Sequence, residues 1–201
     1  MKKESVKSAK QVYEIESQCI EKMLDFFDET AFSQAAEYLK NAPRIGTVGC
    51  GHSGILCQHF AHLMCCIERP AKFISPAEAV HGGLGFLQAG DVLVWTSRGG
   101  KTDELIPIVR IAKEKGVTII GVTENLSSPL AEQSDILLAI KVTRECDPDN
   151  CQGTTSFVVT NAVFDALQTA VILQTGFGKN DFAVIHPGGA VGKRLNKSDL
   201  S

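Results

Sequence analysis

The stretch 44-RIGTVGCGHSGILCQHFAHLMCCI-67 decides the fold. It opens with a short apolar run, 44–48, followed at once by glycines. Such a run predicts a strand buried on both faces. The next residues, 49-GCGHSG-54, turn the chain out of that strand. Positions 55–67 then carry a helical pattern of apolar residues. Strand, glycine turn and helix in this order make the first half of a parallel crossover unit.

The same alternation continues downstream. Further strands are predicted at 71–74, 91–96, 117–122 and 136–140, with helices at 105–115, at 126–133 and within 153–176. This pattern predicts the α/β class: a three-layer α/β/α sandwich around a five-stranded, mainly parallel sheet. Upstream, Val12, Ile15, Cys19, Met23, Phe26 and Phe27 recur at helical spacing, and a second helix is predicted over 32–39. Asn41-Ala42-Pro43 ends it. The chain therefore divides into an amino-terminal helical segment, 1–43, and a single domain, 44–201. The apolar stripe of the first segment packs on the main domain or on a partner subunit. After Gly176 only a loop and a short tail are expected.

Composition narrows the function. The formal net charge of -3 leaves no broad basic surface for nucleic acid, and the lysines of MKKESVKSAK mark a solvated helix end. No secretory leader pattern and no run apolar enough to cross a bilayer is read, so a cytoplasmic location without membrane attachment is expected. Seven cysteines at 19, 50, 57, 65, 66, 146 and 151 form no CxxC pair, which favours reduced thiols over a disulfide framework.

In an open parallel sheet, ligands bind beyond the carboxyl ends of the strands. Two loops fall there. In the first, Gly51, His52 and Ser53 stand where a helix begins and its amides and dipole favour a phosphate. Its glycines match G-x-G-x-x-G in letters, but Glu68 precedes the second strand instead of ending it, so the acidic partner of a dinucleotide site is missing. The second loop is 96-TSRGGKTDE-104. Ser97, Gly99, Gly100 and Thr102 offer hydroxyls and amides, and Arg98 or Lys101 offers positive charge. A plain surface turn with a threonine cap and a dipole-matched Asp103-Glu104 is the structural alternative.

Together these loops resemble the sugar isomerase (SIS) domain family. The runs 75-SPAEAVHGGLGFLQAGDVLVWTSRGG-100 and 183-AVIHPGGAVGKRL-195 look like its arabinose-5-phosphate isomerase branch. Many relatives in that branch continue into a pair of CBS domains, and the likeness here ends before such a pair. The resemblance implies interconversion of D-arabinose 5-phosphate and D-ribulose 5-phosphate without a redox cofactor. It implies that Ser53, Ser97 and Thr102 belong to phosphate-binding loops and that His81, Glu145 and His186 match positions associated with the active site. It also implies a homodimer or homotetramer, with His186 completing a neighbouring subunit's site. Two departures stand out. His52 occupies the lysine position of the usual GKSG, and Lys101 falls where the branch usually carries the carboxylate of SGES.

The chemistry asks for a base beside a carbonyl and a group that manages protons on the oxygens. Glu145, just beyond the last strand, is the expected base. His186, His81 and His52 are the expected partners, His52 through a phosphate or sugar oxygen. Each histidine can instead be a loop residue satisfied by the backbone. His52, His59, His62 and Cys66 share a broad helical face, which raises structural zinc as a further reading, although no metal is expected. A phosphosugar-binding sensor and an isomerase of a different sugar phosphate are the functional alternatives.

Overall fold

The computed structural model describes residues 2–196. Five strands, β1 (Ile45–Val48), β2 (Ala71–Phe73), β3 (Val92–Thr96), β4 (Thr118–Thr123) and β5 (Ile136–Ala139), form one sheet in the order β2-β1-β3-β4-β5. Every pairing is parallel. The central strands β1, β3 and β4 are buried on both faces, as their apolar runs require, while the edge strand β2 is half-exposed. In β3, Val92 and Val94 enter one core cluster and Leu93 and Trp95 the other. Period-two alternation thus feeds two cores from one strand.

Helices cover both faces. On one side lie α1 (Lys3–Lys22), α2 (Glu29–Asn41), α3 (Gly51–Cys65) and, further along the chain, the long helix Thr155–Thr175. Phe60 of α3 stacks on Phe164 of that long helix, with ring centroids 4.3 Å apart. On the other side lie α4 (Pro76–Ala79), α5 (Ile106–Glu114) and α6 (Pro129–Glu132), which contribute Ala79, Ile108, Val109, Ala112 and Leu130 to the second core. The long helix is α7; α8 (Lys179–Ile185) and α9 (Gly189–Asn196) follow it.

Three expectations change. Helix α3 starts at Gly51, not at residue 55, because the left-handed Gly51 (φ 55°) makes the whole turn in one residue. The tail after Gly176 is not plain loop: α8 and α9 pack mainly on each other. And one helix, α7, is apolar and long enough to cross a membrane by length and composition, with a mean hydropathy of 1.5 over an 18-residue window. Its inner residues Val159, Phe164, Leu167 and Val171 are fully buried against the sheet and its neighbours. Only that inner face is covered: 28% of the window is buried.

Candidate functional site

The loop after β3 is locked from inside. Ser97 Oγ and Thr102 Oγ1 share a hydrogen bond of 2.9 Å, and the Gly100 amide donates to Ser97 Oγ at 3.1 Å. Gly100 is left-handed (φ 63°), and a Cβ there would run into the Ser128 hydroxyl. Only glycine closes this turn without strain. Thr123 Oγ1 donates to the Arg98 carbonyl at 3.1 Å and Asn125 Nδ2 to the Gly99 carbonyl at 3.3 Å, so the next strand's loop braces this one. Lys101 is exposed at the tip and forms no ion pair among the described residues. Its ammonium is free for an anion.

Arg98 has a different assignment. Its Nε donates to Glu124 Oε2 at 2.8 Å and its Nη1 to Glu145 Oε1 at 2.7 Å. The other oxygen of Glu145 accepts from the Thr154 amide (2.9 Å), the Thr154 hydroxyl (3.2 Å) and the Ser156 amide (3.1 Å) at the start of α7. Burial alone would push the Glu145 carboxyl up. The bonds from Ser156 and Thr154 and the charge of Arg98 outweigh that and hold it below the ordinary carboxylate range. Glu124 follows the same logic: burial raises it, and Arg98, Lys141 and the Val142 amide bring it down. Glu145 is only 2 % exposed. It is an ionised carboxylate that already accepts four hydrogen bonds.

Two hollows open beside these loops. A cleft of about 430 Å³ lies between the β1–α3 turn, Ser75 with the first turn of α4, and the loop leading into α5. Its size suits a small phosphorylated sugar. Gly51, Gly54 and Cys50 line one wall, and Glu104 is the lone carboxylate in its lining. No side chain caps the first amides of α3, which leaves them open to an anion. Burial and the nearby Glu104 charge together push the Cys50 thiol up. A smaller recess on the other side of α3 brings His52 and Ser53 together with Thr96, Arg98, Ser156 and Thr160. His52 meets Phe157 edge-on at 6.3 Å.

The expected site residues therefore gather unevenly. Gly51, His52 and Ser53 sit at the start of α3, and Ser97, Gly99, Lys101 and Thr102 form the neighbouring loop. Glu145 joins that loop through Arg98. His81 is exposed on the turn after α4, just beyond the cleft-lining Ser75–Ala77. His186 is elsewhere. It ends α8 and stacks on Phe182 at 4.9 Å. Phe182 shares a groove with Leu63, Cys66 and Ile67 at the far end of α3. With 15 residues in α3, the two ends lie about 22 Å apart. Within one chain His186 does not reach the loops.

The zinc reading finds one pair, Cys66 Sγ and His62 Nε2, 3.5 Å apart. His59 and His62 are exposed, and no group of three metal-binding side chains forms among the described residues. Sequence reasoning missed two features. Glu104 looked like a helix-dipole residue, and its place in the cleft depends on packing between elements. The Arg98–Glu124 pair rests on the β3–β4 register, which pairs Thr96 with Val122 and two residues on sets Arg98 beside Glu124.

The fold is a parallel α/β domain whose β1–α3 turn and the loop ahead of α5 border a cleft with one carboxylate, Glu104, in its lining. Residues 38–170 match the model of the SIS domain, and the chain belongs to that family. It is similar to the arabinose 5-phosphate isomerase KpsF of Escherichia coli, with 41% identity over 147 residues covering 73% of this chain and 46% of the relative. It is also similar to the arabinose 5-phosphate isomerase KdsD of Pseudomonas aeruginosa, with 33% identity over 190 residues covering 94% of this chain and 58% of the relative. The chain thus spans about half the length of these relatives. Among solved structures, a candidate sugar-phosphate isomerase from Listeria monocytogenes superposes with a TM-score of 0.89 and 37% identity, covering 94% of this chain and 100% of the other. A protein of E. coli CFT073, solved in complex with arabinose 5-phosphate, gives a TM-score of 0.83 and 27% identity over 93% of this chain and 100% of the other.

Proposed function

We propose that the chain interconverts a phosphorylated aldose and ketose, with D-arabinose 5-phosphate and D-ribulose 5-phosphate as the pair. The observation that carries this reading is the cleft: anion-receiving amides at one wall and a lone carboxylate, Glu104, in its lining. The relatives named above support the choice of sugar. In this reading the phosphate rests on the loops of Ser53 and of Ser97–Thr102, with Lys101 supplying charge. A carboxylate removes the proton from C2 of the open-chain aldose, giving an enediolate. Its return to C1, with a proton passed between O1 and O2, gives the ketose. Glu104 fits the acceptor role better than Glu145, because Glu145 is buried, its carboxyl is held below the ordinary carboxylate range and it already accepts four hydrogen bonds. Glu145 then acts as a fixed negative charge behind the loop.

His81 and His186 are proposed to move protons on the sugar oxygens. His186 can do so only across a subunit boundary, and its α8–α9 unit packs chiefly on itself with Val184 77% exposed. A homo-oligomer with shared sites follows from the same reading. The test is incubation with D-arabinose 5-phosphate in deuterated water, followed by NMR. Ribulose 5-phosphate and deuterium at C2 of recovered substrate are expected. Saturable binding with neither signal would replace the enzyme by a phosphosugar sensor, and no binding would point to a different sugar phosphate.

A further inference from the structure

Arg98 stands where the loops after three neighbouring strands meet. Past the end of β3, the ladder continues: the Ser97 amide donates to the Val122 carbonyl at 3.3 Å, and the Glu124 amide to the Arg98 carbonyl at 3.1 Å. The backbone of Arg98 is therefore fixed before its side chain is considered. The guanidinium then spans from Glu124, beyond β4, to Glu145, beyond β5. Glu124 Oε1 is in turn held by Lys141 Nζ at 3.2 Å and the Val142 amide at 3.4 Å. Two cations, Arg98 and Lys141, face two carboxylates, Glu124 and Glu145, so the cluster is neutral in itself. A guanidinium so matched has little charge left for a phosphate, although Arg98 also borders the recess of His52 and Ser53.

We propose that Arg98 is a positioning residue: anchored by Glu124, it fixes the Glu145 carboxylate and the 97–102 loop as one rigid unit, and it is not the ligand's counter-charge. The catalytic consequence rests on the isomerase reading above. The planar fork matters here, because a lysine ammonium is a point charge and does not reproduce two directed bonds to separate carboxylates. The loop bearing Glu145 is built to match. Its amide donates to Asn150 Oδ1 at 2.6 Å, with Asn150 in the left-handed region (φ 56°). Asp147 gathers the amides of Asp149, Cys151 and Gln152. The charged and titratable groups around this corner are Arg98 and Glu124, Lys141 and Arg144 before Glu145, Cys146, Asp147 and Cys151 after it, His52 at the start of α3 and Glu16 of α1.

The test compares Arg98→Lys, Arg98→Gln and Glu124→Gln with the parent, measuring kcat and KM for D-arabinose 5-phosphate across pH. Arg98→Gln is expected to lose roughly a hundred-fold in kcat with KM little changed, the scale of a misplaced group near the chemistry. Arg98→Lys should recover part of that loss, and Glu124→Gln should fall between. The Glu145 carboxyl, followed by carboxyl-carbon NMR, should titrate at higher pH in Arg98→Gln, since it loses its neighbouring positive charge. A raised KM with unchanged kcat and an unmoved Glu145 titration would make Arg98 a phosphate ligand and overturn the proposal. A shared loss in all variants with an unmoved Glu145 titration would overturn it as well, leaving only a structural role. If the parent itself fails to turn over this sugar, the isomerase reading falls separately. The carboxyl-carbon NMR titration of Glu145 then decides: a value raised in Arg98→Lys upholds the positioning role, and an unmoved one removes it.

Discussion

Replacing Glu145 by glutamine removes one charge from a corner in which four donors converge on a buried carboxylate. Glutamine offers a single oxygen, so either Arg98 or the Thr154 and Ser156 amides lose their acceptor. Breaking a buried charge pair from one side costs about 3–5 kcal/mol. The Arg98 side chain is 39% exposed, so water re-solvates part of its charge and the expected cost falls to about 2–3 kcal/mol. For a domain of this size that corresponds to a Tm lower by about 4–12 °C at neutral pH. The pH dependence carries the sharper test. Because the folded carboxyl titrates below its ordinary value of 4.5, its stabilisation is fully present above that value and is lost as pH falls through the lower, folded one. Parent and variant melts, followed by circular dichroism between neutral and acid pH, should therefore converge on acidification. A gap that stays constant into the acid range, or no gap at neutral pH, would refute the assigned charge state of Glu145.

Three further outcomes follow from the site. Glu104→Gln should abolish deuterium exchange while phosphate-sugar affinity, measured by calorimetry, stays near the parent's; retained exchange would return the base to Glu145. Lys101→Ala should weaken sugar-phosphate binding about ten-fold, the worth of one partly exposed charged hydrogen bond, with kcat largely kept; unchanged affinity would place the phosphate elsewhere. Inactive His186→Ala and inactive Glu104→Gln chains, unfolded and refolded together, should regain part of the parent activity, because mixed assemblies hold some complete sites; no regain would count against a shared site.

The strands were legible because β1, β3, β4 and β5 are short, largely apolar runs, with Gly49 just after β1 and Lys141 soon after β5. Expected and observed limits of β3 and β5 differ by a residue at most, 91–96 against Val92–Thr96 and 136–140 against Ile136–Ala139. What escaped was short and punctuated. Helix α4 begins at Pro76, and the 3₁₀ turn Gly83–Phe86 follows a left-handed Gly82, so composition there reads as loop. Helices α8 and α9 flank Pro187-Gly188 and carry no apolar period long enough to detect. At the site, Gly51, Ser53, Ser97 and Thr102 were visible because a strand, a glycine and a helix start announce an anion loop. The role of Arg98 was not, since a side chain's partner depends on sheet order and register, which periodicity does not set. Glu104 and Asp103 look alike in sequence. Only the approach of the loop ahead of α5 to the β1–α3 turn, which line one cleft together, gives Glu104 its place.

The all-parallel sheet has a consequence for how the molecule comes into being. No strand is joined to its neighbour by a hairpin; β1 must close on β3 across dozens of residues before either face has a core. Topologies with so many distant pairings fold slowly for their size. The central trio β1, β3 and β4 lies well inside the chain, but Glu145 finds its amide donors only when Thr155–Thr175 has docked. On the ribosome the sheet can therefore assemble while the Glu145 corner is still open, and that corner closes late, after the long helix has emerged.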